Sequence, residues 1–171
     1  KKGCKQLLQA MKQVQLALPD TKLYFIGDGA LRGELEKEAR SSLRHCEFLG
    51  VLPHDEVLEW MGKARVFCVP SVTDRSGSIE GFGIVFAEAQ ALGTPVVSYN
   101  IGGIPEAVLH GRTGILANEN EIQPLAEAIK LLLSDREKWL EFSHAARSHV
   151  HSNFDLSIQT KKLEEIYLTV L

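Results

Sequence analysis

Five short, mainly apolar runs punctuate the chain: Leu23–Ile26, Cys46–Leu49, Ala64–Val69, Pro95–Ser98 and Gly114–Leu116. None shows the sustained polar–apolar alternation of a strand with one wet face. Segments of helical period separate them. Strands buried on both faces read this way, because the helices of a parallel sheet cover it above and below. Right-handed crossovers then produce a Rossmann-like, doubly wound α/β domain.

The expected helices follow from spacing and stop signals. Leu7, Leu8, Met11, Val14 and Leu18 recur at helical intervals, so a helix covers Cys4–Leu18 and ends at Pro19-Asp20. Further helices are expected at Leu31–Arg44, His54–Gly62, Gly83–Leu92 and Pro105–Leu109. Three more close the chain, near Glu121–Leu133, Asp135–His151 and Leu156–Leu171, and a polar loop spans Thr73–Ser78. At 171 residues the chain is one domain, 1–171, large enough to build its own core.

Composition removes several function classes. The net charge is −3 and neither half is basic, so no nucleic-acid platform or polybasic membrane anchor is expected. The apolar stretches Val66–Val69 and Ile84–Ala87 are far too short to span a bilayer. Three widely spaced cysteines without a CxxC pair point to reduced thiols, and with no export signal a cytoplasmic location is expected. His149 and His151 fall on different helix faces, so solvated histidines and no metal site are expected.

In an open parallel sheet, ligands bind beyond the carboxyl ends of the strands, here the loops 27–30, 50–54, 70–82 and 99–104. The segment Ile84–Leu92 directs attention to the third of these. Projected at roughly 100° per residue, Ala87, Ala91, Ile84, Leu92 and Val85 share one arc. Glu88 falls in the middle of it, and Gln90 takes the polar side. A carboxylate on a core-facing stripe needs hydrogen-bond donors, and vicinal ribose hydroxyls suit it. The alternative is a tilted helix that puts Glu88 at the rim or pairs it with an arginine.

Upstream, Glu80-Gly81-Phe82-Gly83 runs into the start of that helix. Glycines flanking Phe82 allow close backbone approach, and a helix N-terminus attracts anions such as a diphosphate. Glu80 then reaches past the phosphates toward a hydroxyl-rich group. A rival signal, Gly27-x-Gly29-xxx-Gly33, follows a strand but carries Arg32 where the dinucleotide fingerprint requires a small residue. Ser71 has no nucleophile elbow around it.

The string Pro70-Ser71, followed by Glu80-Gly81-Phe82-Gly83-Ile84-Val85-Phe86-Ala87-Glu88 and on to Val97, resembles the E-x7-E block of retaining family-four glycosyltransferases. Gly102-Gly103-Ile104-Pro105-Glu106 with Gly111-Arg112-Thr113-Gly114 is similar to that family's next block. Lys2-Gly3, Gly27-Asp28-Gly29 and Phe48-Leu49-Gly50 occur in the family's order. The resemblance implies the C-terminal, donor-binding lobe of a GT-B fold. It implies that Lys2 neutralises the donor diphosphate, that Gly81, Phe82, Gly83 and Ile84 cradle the distal phosphate and sugar, and that Glu80 bonds the sugar hydroxyls. Glu88 would bond the ribose and the main chain near Leu52 the base.

By the same resemblance no metal and no cofactor is expected; the donor nucleotide sugar is a substrate. The family's first strand with its arginine, and the N-terminal acceptor-binding lobe, would lie outside this sequence. That lobe would be the partner, with any peripheral membrane contact made through it. Asn153-Phe154-Asp155-Leu156 replaces the family's Phe-Ser-Trp-like string. The implied reaction is hexosyl transfer with retention; a non-catalytic nucleotide-sugar-binding module is the alternative.

Overall fold

The computed structural model describes residues 1–74 and 76–170. Arg75 in the expected polar loop and Leu171 at the end of the last expected helix lie outside the described residues. The elements run α1 (Cys4–Ala17), β1 (Leu23–Ile26), α2 (Arg32–Ser42), β2 (Cys46–Gly50), α3 (His54–Lys63), β3 (Phe67–Cys68) and α4 (Ile84–Ala91). They continue with β4 (Val96–Tyr99), α5 (Ile104–Ala107), β5 (Gly114–Ala117), α6 (Ile122–Ser134), α7 (Arg136–Phe154) and α8 (Leu156–Val170). The α/β succession is the expected one.

Every ladder between these strands is parallel. β4 lies between β3 and β5, with Val97 opposite Cys68 and Ile115. It is buried along its whole length. Val97 and Tyr99 pack among Leu7, Met11 and Val14 of α1 and Leu125 and Ile129 of α6. Val96 packs on the other side among Met61 of α3, Phe86 and Ala89 of α4 and Ile104 of α5. Successive side chains of one strand thus reach opposite helical layers, as the two-residue strand period requires. β3 is shorter than its apolar run, because its pairing with β4 covers only Phe67 and Cys68 and Pro70 just beyond has no N–H to extend it.

The strands form two sheets, β1–β2 and β3–β4–β5, where the sequence suggests one. Two helices bridge them. On one face α1 sends Leu8 toward Leu35, Ala39 and Phe25, and Leu7, Met11 and Val14 toward β4. On the other, Trp60 of α3 packs tilted against Tyr24 of β1 with ring centroids 4.6 Å apart, while its neighbour Met61 enters the core under β4. β1 and β3 therefore share covering helices without sharing a ladder. Each has one edge with no strand partner among the described residues. Among those residues no helix is long and apolar enough to cross a membrane.

Candidate functional site

The orientation of α4 decides what the opening beside it contains. Its buried residues are Phe86, Ala87, Ala89 and Gln90. Ile84 is 68% exposed, and the Glu88 side chain is partly open. The expected arc, with Glu88 central and Gln90 on the polar side, is therefore corrected: Gln90 is fully buried and Glu88 lies at the rim. Gln90 Nε2 donates to Phe86 O at 3.0 Å and Ala107 O at 2.8 Å, fastening α4 to α5, while its buried Oε1 has no partner among the described residues. Glu88 at the rim keeps its carboxylate accessible, which is compatible with a ligand contact as well. Its neighbour is a histidine rather than an arginine.

The residues before α4 form an open backbone bowl. Gly83 has φ 72°, and a side chain there would put Cβ 2.6 Å from the Phe86 ring, so only glycine fits. Phe86 N–H donates to Gly83 O at 2.9 Å. Among the described residues, the N–H groups of Gly81, Phe82, Gly83, Ile84 and Val85 donate to no protein acceptor. Five consecutive amides without a partner among the described residues, at the positive end of a helix, are donors chemically suited to an anion.

One side of the bowl is charged. Lys2 Nζ lies 2.5 Å from Glu80 Oε2, and the buried Ser71 hydroxyl donates to the same oxygen at 3.3 Å. The hydrogen bond from Lys2 holds the Glu80 carboxyl below the ordinary carboxylate range, with desolvation opposing it. The chain near Lys2 is tied to the loop after β3, because Val72 N–H donates to Lys1 O at 2.8 Å. Thr73 in turn donates its N–H and hydroxyl to the Glu119 carboxylate, at 2.6 and 3.1 Å. The other side is the rim. His54 Nε2, in the first turn of α3, stands 3.7 Å from Glu88 Oε1, and Leu52 lies two residues before it.

The structure thus brings Lys2 to Glu80 beside Gly81, Phe82, Gly83 and Ile84, and places Glu88 near the segment carrying Leu52. Ser71, His54 and Glu119 were not singled out as site residues from the sequence. Ser71 had a usable signal, its place in the Pro70-Ser71 string before Glu80. Glu119 had none, since its contact with Thr73 spans 46 residues. The Gly27–Gly33 turn closes on itself: Asp28 accepts from Gly29 N–H at 2.6 Å and pairs with Arg32 at 3.1 Å. Glu47, at the offset of a ribose-binding acid, is exposed on β2. One histidine departs from the solvated expectation, while His110 stays exposed and makes one contact. His110 Nδ1 accepts from Leu116 N–H at 3.0 Å. His149 is half-buried against Phe154, and burial lowers its pKa. Among the described residues no group of three or more His, Cys, Asp or Glu side chains is placed to hold a metal.

Residues 1–149 match the family described as Glycosyl transferases group 1. The chain belongs to that family. It is 33% identical over 167 residues to a GDP-mannose-dependent monoacylated α-(1-6)-phosphatidylinositol monomannoside mannosyltransferase of Corynebacterium glutamicum, covering 97% of this chain and 44% of that protein. A glycogen synthase of Mycobacterium tuberculosis is 33% identical over 169 residues, covering 98% of this chain and 39% of the synthase. Among solved structures, Anabaena Alr3699/HepE in complex with UDP and glucose superposes with a TM-score of 0.84 at 26% identity, over 99% of this chain and 45% of that one. The chain thus spans less than half the length of these group 1 relatives, and its fold is that of the C-terminal domain of GT-B glycosyltransferases.

Proposed function

We propose that this chain is the donor-binding half of an enzyme that moves a hexosyl group from a nucleotide-diphosphate sugar to an acceptor, with retention of anomeric configuration. The observation that carries the reading is the row of unpartnered amides from Gly81 to Val85, set between the Lys2–Glu80 pair and the Glu88 rim. A diphosphate fits the bowl because it offers several acceptor oxygens to donors that have no other partner. As the glycosidic bond breaks, negative charge grows on the departing diphosphate. Fixed donors and a cation stabilise that charge without reorganising, which is the largest contribution a protein makes to such a step. In this reading Lys2 and the amides serve the leaving group and Glu80 orients the sugar. Glu88 binds the ribose hydroxyls, and the main chain at Leu52 borders the base.

The HepE complex contains UDP and glucose, and the mannosyltransferase is GDP-mannose-dependent by name, which supports a nucleotide sugar as ligand without choosing the base. No metal or cofactor enters the proposed step. We also propose that a parallel strand from outside this sequence fills the space between β1 and β3. Both edges are open among the described residues, and α1 and α3 already cover the two faces. An acceptor lobe would complete the enzyme, at the cytoplasmic side where activated sugars are made.

Calorimetric titration of the chain with UDP, GDP and their sugars tests the donor site. One nucleoside diphosphate and its sugar should bind. Absence of binding by all of them at millimolar concentration would falsify the reading. Sugar transfer by the full-length enzyme, lost on Glu80→Gln, separates an enzyme from a binding module.

A further inference from the structure

The amide bowl is an unfavourable arrangement to leave unsupported. Its amides have no protein acceptor among the described residues, and its two glycines have wide conformational freedom. Two contacts from distant parts of the chain hold it. The first is a backbone shelf. Gly103 N–H donates to Glu80 O at 3.2 Å, and a Cβ on Gly102 or Gly103 would lie 2.1 Å from Glu80 O or Gly81 O respectively. The loop after β4 therefore touches the bowl main chain to main chain, with no room for a side chain.

The second contact is aromatic. Phe82 carries the only side chain between the two glycines, and its ring packs edge-to-face on Phe154, with centroids 5.0 Å apart and planes at 70°. Phe154 is the last residue of α7 and is steadied by the His149 ring one turn earlier, at 5.2 Å. Further back on the same helix, Arg147 donates to Leu92 O at 2.9 Å, just past the end of α4. α7 thus braces α4 at both ends, with Arg147 at its C-terminus and Phe154 at the loop that opens it. The Asp155 side chain starts α8 immediately afterwards by accepting from Ser157 N–H at 2.9 Å.

We propose that Phe154, acting through Phe82 and against the Gly102–Gly103 shelf, is a positioning residue that sets diphosphate affinity by keeping the Gly81–Gly83 amides open. The inference rests on the donor-site reading above. A bowl held open before binding has less ordering left to do when the ligand arrives, and that difference enters affinity directly. Phe154 is only half-buried, at the junction of two helices, so its removal leaves the cores under β4 untouched.

The experiment titrates the wild-type chain, Phe154→Ala, Phe154→Tyr and Gly103→Ala with the nucleoside diphosphate that binds and with the matching monophosphate, which lacks the distal phosphate. Thermal unfolding is measured in parallel. Phe154→Ala should weaken the diphosphate about three- to tenfold, the size of one edge-to-face aromatic contact, and leave the monophosphate unchanged. Phe154→Tyr should restore wild-type affinity, since its ring is kept. Gly103→Ala should weaken the diphosphate selectively as well. The inference is overturned if Phe154→Ala and Gly103→Ala stay within twofold of wild type for the diphosphate, or if both ligands weaken together. A wild-type chain that binds no nucleoside diphosphate overturns the donor-site reading and this inference with it; binding that ignores the substitutions overturns the inference alone.

Discussion

The two faces of α4 differ in a way their chemistry hides. One presents Ile84 and Glu88 to an opening; the other presses Phe86, Ala89 and Gln90 into the core. A glutamate and a glutamine of nearly equal size sit two residues apart, and the neutral one is buried. The core face can hold an amide because Phe86 O and Ala107 O stand ready as acceptors. Neither acceptor could pair a carboxylate in its place. The exposed isoleucine on the other face is the counterpart: an apolar side chain left in solvent beside a carboxylate with no hydrogen bond shorter than its 3.7 Å approach to His54. The pair is the rim that the proposed donor site would use.

That contrast can be broken by putting a charge on the buried face or removing it from the open one. Gln90→Glu puts an unpaired carboxylate in the core and should cost about 3 kcal/mol or more in denaturant unfolding at neutral pH. A loss below about 1 kcal/mol would show that the α4 core face is wetter than described. On the opposite face, Glu88→Ala removes charge-assisted hydrogen bonds of about 1.5–3 kcal/mol from ribose, so nucleoside diphosphate affinity should fall at least tenfold. Stability should stay within about 0.5 kcal/mol, and unchanged affinity would remove Glu88 from the site.

The Glu80 end of the loop sharpens the comparison, because its carboxylate is held where that of Glu88 is open. The Lys2 hydrogen bond lowers the folded-state pKa of Glu80 below its ordinary 4.5. Its contribution to stability is therefore complete above about pH 4.5 and disappears as pH falls through the depressed folded value. An NMR titration should find the Glu80 carboxyl midpoint below 4.5 in the wild-type chain and closer to 4.5 in Lys2→Ala. Equal midpoints would mean that the pair does not persist in solution. The smallest effect belongs to Ile84→Ser, which should leave unfolding within about 0.5 kcal/mol of wild type. A larger loss would place Ile84 in the core and reverse the two faces.

Much of this architecture was legible in the sequence. The strand at Leu23–Ile26 and the helix starts at Cys4 and His54 agree with the pattern, because periodicity and glycine or proline stops are local signals. The bowl at Gly81–Gly83 was legible for the same reason. The facing of α4 was not. When nearly every residue of a helix is apolar, projection gives no preferred side, and the neighbours that offer acceptors decide. The division into two sheets is not legible, because an apolar run reports that a strand is covered, not which strand it pairs with.

The sequence by itself determined the order of elements, the parallel class of sheet and the glycine loop that exposes amides at a helix start. Those features depend on residues close together along the chain, whose backbone preferences act before any long-range contact forms. Only the tertiary structure decided that Gln90 is buried and Glu88 open, that Lys2 and Ser71 share one oxygen of Glu80, and that Phe154 braces Phe82 from 72 residues away. Each is a competition between neighbours brought together by packing. Its outcome depends on which donors, acceptors and rings arrive at one point in space, and one-dimensional spacing does not carry that information.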